Sequence, residues 1–338
     1  MRARCFIPWF GSLFLILISP AAADRFSEPV CQYGFGLVSE VAYSPDGSRI
    51  LIGGRRATIL DATTGAYIRC FIGHSENASC IAFSTDSARI LTGGANPDCQ
   101  VKMWNAATGE LLQTFVGHTL EPNSTNFSPA ENLVVTSGDD KRARLWNGAT
   151  GAQIRAYSQF HDVHSAEFSP DGSQVLLACG DTRARLWDVA TGAVGAPFEG
   201  HSGSVNDAVF SPTGAIILTG SADKTARLWD TASRATVLTV TAGAAIRSVA
   251  YSPDGLRFLS GGVEAAVRLW SATSGIQSGT FIHPHPPVYS VTFSPDGRKA
   301  LTGSDFCTVL EWDIPTRTLF RQLHSHSNFV TSVAFFPD

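Results

Sequence analysis

Two His-x-His runs, His283 with His285 and His324 with His326, stand 41 residues apart. Imidazole is the commonest protein ligand for metals, so the spacing poses a metal site as the first chemical possibility. Pro284, Pro286 and Pro287 stiffen the first run, and His326 falls where a Gly-His pair recurs elsewhere, so both runs read as polar loops. No metal or other cofactor is expected. The chain has no Gly-x-Ser-x-Gly elbow, no His-Glu-x-x-His and no glycine-rich loop ending in Lys-Ser or Lys-Thr. A non-catalytic protein is the expectation; a site assembled in a channel from distant segments would leave no local motif and stands as the alternative. A basic residue lies two places before each of five tryptophans, at Lys102, Arg144, Arg185, Arg227 and Arg268. In an acidic protein this reads as a structural ring, paired with carboxylates or covering apolar surface with its stems.

The elements that carry these residues repeat. Trp104, Trp146, Trp187, Trp229, Trp270 and Trp312 are separated by 42, 41, 42, 41 and 42 residues. A constant period of this length means one structural unit copied along the chain. Ala226-Arg227-Leu228-Trp229-Asp230 is echoed at Ala143–Asn147, Ala184–Asp188 and Val267–Ser271, with looser copies around Trp104 and Trp312. A seventh, weaker copy ends at Ile59-Leu60-Asp61, with leucine in place of tryptophan. Upstream of each comes an aromatic residue and a turn, as in Tyr43-Ser44-Pro45-Asp46-Gly47 and Phe168-Ser169-Pro170-Asp171-Gly172. Proline fixes one backbone angle and glycine permits a positive one, which suits a tight turn between strands. A short apolar run, the tryptophan strand, a Thr-Gly turn and a weakly apolar strand follow. Each unit is thus four short antiparallel strands.

Such a sheet alone leaves both apolar faces wet, so copies stack face to face and close into a ring. Gly73-His74, Gly117-His118, Gly200-His201, the Ser-Pro-Asp-Gly turns and the tryptophan-aspartate ends together resemble the tryptophan-aspartate (WD) repeat family of β-propellers, from about residue 36 to the end. The resemblance implies an all-β, seven-bladed propeller of four-stranded antiparallel blades. It also implies a hydrogen-bonded structural set in three units: His74, Thr92, Asp98 and Trp104; His118, Thr136, Asp140 and Trp146; His201, Thr219, Asp223 and Trp229. The fourth unit departs from it with Ala178 on the second strand, the sixth with Glu264 and the seventh with Phe306 at the aspartate place.

Residues 1–23 read as a secretory leader: Arg2 and Arg4, an apolar stretch from Cys5 to Ile18, and Ala21-Ala22-Ala23 before Asp24. Cleavage after Ala23 would give a secreted or periplasmic chain with no stable membrane insertion. Residues 24–36 form an N-terminal segment, 37–326 the seven repeats and 327–338 the first strand of a truncated eighth, which adds an extra C-terminal strand. Without Arg2 and Arg4 the net charge is about minus six, against a formal −4 for the whole chain. That surface repels phosphate backbones, so nucleic acid is not expected as a partner. Six cysteines remain, Cys31, Cys70, Cys80, Cys99, Cys179 and Cys307, and they share no one place in the repeat. They read chiefly as buried small apolar residues; a Cys31–Cys307 bridge would staple the ring, but sequence does not fix connectivity. Sequons at Asn77, Asn123 and Asn126 fall on or beside inner strands, where glycans would obstruct packing, which points to a bacterial envelope protein.

Four positions upstream of each turn's aromatic residue stands a column that varies among polar types: Ser39, Ser79, Asn123, His164, Asn206, Arg247, Tyr289 and Thr331. Its place and its variability point to the mouth of the central channel. WD propellers commonly bind peptides and proteins over that face, so the resemblance implies a partner-binding surface. Its candidates are Asn123, His164, Asn206, Arg247 and Tyr289, with Glu121 and Asp162 at the rim. The expected function is a protein-interaction scaffold. A propeller enzyme and a docking module of a longer envelope protein are the alternatives.

Overall fold

The computed structural model describes residues 40–54, 56–130, 132–159, 161–304 and 308–324. The leader, the N-terminal segment 24–36 with Cys31, and Cys307, Phe306, His326 and the C-terminal strand expected over 327–338 lie outside these residues. Among the described residues the strands form seven antiparallel sheets, with no helix. The chain is an all-β, seven-bladed propeller. Its inner strands run Val41–Tyr43, Ala78–Phe83, Pro122–Phe127, Val163–Phe168, Val205–Phe210, Ile246–Tyr251 and Val288–Phe293.

Six blades have four strands in simple sequential order. The fourth has three, Val163–Phe168, Gln174–Cys179 and Ala184–Asp188, and its outer segment touches the tryptophan strand only through isolated bridges at Val194 and Phe198. The Gly195 N–H bonds Leu186 O and the Phe198 N–H bonds Ala184 O, both at 2.9 Å, and Pro197 stands between them, where an outer edge tolerates a missing N–H.

The turns are built by side chains. Ser44 Oγ donates to Asp46 Oδ1 (2.5 Å) and accepts from the Arg49 N–H (2.9 Å), while Asp46 Oδ1 accepts from the Ser48 N–H (2.9 Å). Gly47 takes φ +67°, as the Ser-Pro-Asp-Gly signature requires.

Seven apolar clusters each join two neighbouring blades, one per seam, so the stack has no open end. In five seams an aromatic residue on the outer strand of one blade meets the next blade's indole: Phe71–Trp104, Phe115–Trp146, Tyr157–Trp187, Phe198–Trp229 and Phe281–Trp312, with centroids 5.5–6.2 Å apart. The seam between the seventh and first blades has Leu323 and Leu60 instead. Both members of the pair are smaller there, and a cavity of about 170 Å³ lined by Leu60, Thr64, Gly65, Arg321, Gln322 and Leu323 opens beside them.

A polar clasp reinforces that seam. Glu311, 1% exposed, accepts from Tyr43 Oη (2.5 Å) and Arg321 Nε (2.5 Å), and Lys299 Nζ lies 3.2 Å away. Burial, then the Glu311 charge, pushes the Tyr43 phenol well above its ordinary pKa, so it stays a donor. Arg321 also donates to Ala62 O and to Thr63 O (2.8 Å) in the first blade's Thr-Gly turn. The same strap recurs between other blades: Arg69 to Thr108 O (2.7 Å), Gln113 to Ala149 O (3.3 Å) and Arg155 to Ala190 O (2.5 Å). The seventh blade carries its own outer strand, Thr318–His324, and among the described residues the two ends of the ring meet through side chains.

Candidate interaction face

The structural sets are brought together in three blades. Trp229 Nε1 donates to Thr219 Oγ1 (2.9 Å), Thr219 Oγ1 meets His201 Nε2 (2.7 Å), and His201 Nδ1 meets Asp223 Oδ2 (2.8 Å). Trp146, Thr136, His118 and Asp140 repeat the chain at 2.9, 2.7 and 2.9 Å. In the second blade Trp104 bonds Thr92 (2.8 Å), Thr92 meets His74 (2.7 Å), and His74 pairs with Asp98. Each indole N–H feeds the hydroxyl and each hydroxyl feeds the imidazole, which assigns the imidazole proton to Nδ1. Desolvation lowers the pKa of His74 and His201 and outweighs the aspartates, so these rings are neutral links. Burial alone would raise Asp223, but bonds from Thr225, His201 and Ser202 hold it at about 2.

The departing sixth and seventh blades keep the bond of the indole N–H to a hydroxyl. In the sixth, Trp270 bonds Ser260 (2.9 Å), and Glu264 reaches Gly243 N (3.1 Å) and Arg268 Nη2 (3.0 Å). In the seventh, Trp312 bonds Thr302 (2.8 Å). The basic residues before the tryptophans join this layer. Arg185 grips Asp181 with two bonds (2.9 and 2.5 Å), Arg144 bonds Asp140 (2.8 Å), Lys102 bonds Gln100 (2.6 Å), and Arg227 lies 5.8 Å from the Trp229 ring centroid.

The variable column occupies one place in the backbone. At Ser79, Asn123, His164, Asn206, Arg247 and Tyr289 the inner strand skips a pairing, so each is the extra residue of a β-bulge. A bulge re-aims its side chain, here toward the neighbouring blade. Ser79 Oγ donates to Pro122 O (2.7 Å), Asn123 Nδ2 to Val163 O (3.3 Å) and Asp139 (2.7 Å), and Asn206 Nδ2 to Ile246 O (2.6 Å). His164 Nε2 meets Ser204 Oγ (3.1 Å), and the Arg247 guanidinium lies over the Tyr289 ring, 5.0 Å from its centroid. Most of these acceptors are backbone carbonyls, present whatever the sequence. Variation at the column therefore has a structural cause, and the Asn123 and Asn206 amides are engaged within the ring. Glu121 and Asp162 stand part-buried nearby; burial and then Asp139 raise the Glu121 pKa.

The very next column carries ties that the sequence reading did not single out. Its side chains accept N–H bonds from the following blade's inner strand: Glu40 from Ile81 (2.5 Å), Ser124 from Ala166 (3.0 Å), Ser165 from Ala208 (3.2 Å), Asp207 from Val249 (3.0 Å) and Ser248 from Val291 (3.2 Å). These bonds satisfy the exposed inner edge of each sheet. The signal was present as a small or acidic residue directly after the variable one in nearly every repeat.

Among the described residues no group of metal-ligating side chains includes His283 or His285, and His326 lies outside them. His283 is buried and its Nδ1 accepts from the His285 N–H (3.3 Å); desolvation lowers its pKa to about 4. Cys80, Cys99 and Cys179 are buried free thiols, whereas Cys70, on the first blade's outer strand, is in a disulfide whose partner is not among the described residues.

A repeating blade, an internal His-Thr-Trp chain and a closed ring together define a propeller of the tryptophan-aspartate type. A family model described as "WD domain, G-beta repeat" matches residues 65–105, 109–147, 152–188, 193–230, 235–271 and 276–313. The chain belongs to the WD-repeat family. Each matched unit starts at one blade's outer strand and ends at the next blade's tryptophan strand, so every repeat straddles a seam. The chain is similar to guanine nucleotide-binding protein subunit beta of Solanum tuberosum, 30% identical over 135 residues, 37% of this chain and 36% of the relative. The same protein of Zea mays is 29% identical over 139 residues, 38% and 36% of the two chains. Nuclear distribution protein PAC1 of Arthroderma benhamiae is 34% identical over 86 residues, 24% and 19%. The matched part spans about a third or less of these relatives, which are plant and fungal proteins.

Proposed function

We propose that this chain is an exported, non-catalytic interaction platform that holds a protein or peptide partner over the channel mouth. The observation that carries this reading is the Arg247–Tyr289 pair: an exposed guanidinium held on an aromatic ring at the inner rim. Arginine and tyrosine are the residue types that most often dominate interface energy. His164, Glu121 and Asp162 complete the surface, while Asn123 and Asn206 shape it through their ties. Relatives named as a subunit of a larger protein support an assembly role. Service as a docking module of a longer envelope protein is compatible with the same face.

Export rests on the leader and is supported by the Cys70 disulfide, since disulfides persist in oxidising compartments. A bacterial envelope is supported by the sequons, because Asn123 Nδ2 and Asn126 Nδ2 are both held inside the ring, the latter by Ala166 O at 2.9 Å. Glycan attachment needs that nitrogen free. Mass spectrometry of the exported protein should give an N-terminus at Asp24.

One observation favours an enzyme: Glu167 shares the inner strand with His164, and Asp207 lies on the adjoining inner strand, both with raised pKa. Against it, both carboxylates accept backbone N–H groups of the next blade.

Pull-down from envelope extract is the test, with wild type and an Arg247→Ala, Tyr289→Ala double variant of unchanged circular dichroism. Loss of about 2 kcal/mol or more, roughly thirtyfold in affinity, is expected for the partner. Equal recovery of every protein by both baits would remove the assignment of this face.

A further inference from the structure

On the face opposite the channel mouth, where the Ser-Pro-Asp-Gly and Thr-Gly turns lie, the seams repeat a second kind of filling. Arg69, Gln113 and Arg155, each on an outer strand, lie over Gly109, Gly151 and Gly192 in the next blade's turn. Each donates to a carbonyl of that turn, and Arg321 donates to two, Ala62 O and Thr63 O. Where the outer strand has glycine instead, at Gly195 and Gly279, the next blade's turn supplies the arginine, Arg234 and Arg317. Six of the seven seams therefore carry a guanidinium or an amide at this place.

The seam between the fifth and sixth blades has neither. Leu238 pairs with Leu228 as Arg321 pairs with Glu311, so it holds the strap position, and it ends over Gly275 with no donor to give. A cleft of about 260 Å³ opens there, and Leu228, Val237, Tyr251, Asp254, Ala272 and Thr273 are among its walls. Ala272 and Thr273 stand in their turn where Ala62 and Thr63 present carbonyls to Arg321. Among the described residues no side chain bonds Ala272 O or Thr273 O. Leu228 and Val237 are apolar, and the partly exposed Asp254 carboxylate, which Arg257 approaches only to 3.6 Å, supplies negative charge.

We propose that this cleft seats an arginine side chain presented by a partner protein or peptide, its guanidinium on Ala272 O and Thr273 O, its stem against Leu228 and Val237 and its charge beside Asp254. The planar guanidinium fork matches two neighbouring carbonyls, as Arg321 demonstrates within the chain, and the methylene stem tolerates apolar walls. The formal net charge of −4 favours approach by a basic segment. The seat is independent of what the channel mouth binds, since the two lie at opposite ends of the inner strands.

The test titrates the full chain with N-acetyl-arginine amide and follows backbone amide shifts by nuclear magnetic resonance. Saturable shifts are expected at Thr273, Ser274 and Gly275, and none at Ala107, Thr108 and Gly109, where Arg69 already sits. N-acetyl-lysine amide carries the same charge without the fork and should bind at least about fivefold more weakly. Leu238→Arg supplies the missing strap from within and should abolish the shifts. If that variant fails to fold, Asp254→Asn, on a partly exposed turn, should weaken binding about threefold. No saturable shift, equal shifts in both turns, an equal response to the lysine compound, or undiminished binding by the variant used would overturn the seat.

Discussion

Replacing Glu311 with alanine is expected to destabilise the propeller by about 3 kcal/mol, the scale for removing one partner of a buried ionic group. The loss removes the acceptor that the buried Tyr43 hydroxyl uses, while Arg321 and Lys299 are partly exposed and rehydrate. Arg321→Ala should cost at least as much, because it leaves the buried Glu311 carboxylate with Lys299 as its remaining counter-charge. The damage should be local first. Amide exchange should accelerate in Val41–Tyr43 and Thr318–His324, the strands that flank the seam, before the fifth blade responds. Chemical denaturation and site-resolved exchange check both points. Uniform acceleration across all blades would show that the clasp does not guard a seam.

Thr219→Val should be nearly as damaging, about 2–4 kcal/mol, although it changes volume very little. Two buried groups lose their partner together, the Trp229 indole N–H and His201 Nε2, and each costs on the order of 1–3 kcal/mol when left unpaired. Thr219→Ser keeps the hydroxyl and should cost under about 1.5 kcal/mol, mostly for the lost methyl. The fourth blade shows how the chain itself avoids the penalty. There Ala178 replaces the hydroxyl, and Cys179, beside it, meets the Gln159 amide (3.3 Å) on the segment where other blades carry histidine. Removing both partners is cheaper than removing one, so a His201→Leu, Thr219→Val pair should cost less than the sum of its parts. Urea denaturation of the four proteins gives that comparison directly.

The fold was legible because its determinants recur locally. The tryptophan period, the Ser-Pro-Asp-Gly turns and the His-Thr-Asp-Trp spacing each lie within one repeat, so they survive in a linear reading. The interruption in the fourth blade was not legible, since the Gly195 and Phe198 N–H groups on either side of Pro197 still bond the tryptophan strand. The seam clasp was not legible. Tyr43 and Glu311 are 268 residues apart, and their pairing exists only because the ring closes. The variable column lies on the inner strands, and its variability has a second physical source. Its acceptors are mostly carbonyl oxygens of the next blade, so chemistry at that position is unconstrained by any one partner side chain.

The closed ring is tested most directly by a double-mutant cycle between its two ends. Tyr43→Phe, Glu311→Ala and the double variant, compared with wild type in urea, give the coupling of residues that only a closed ring brings together. A coupling of about 1–2 kcal/mol is predicted for this short buried bond. Additivity within about 0.3 kcal/mol would mean that the first and seventh blades do not meet.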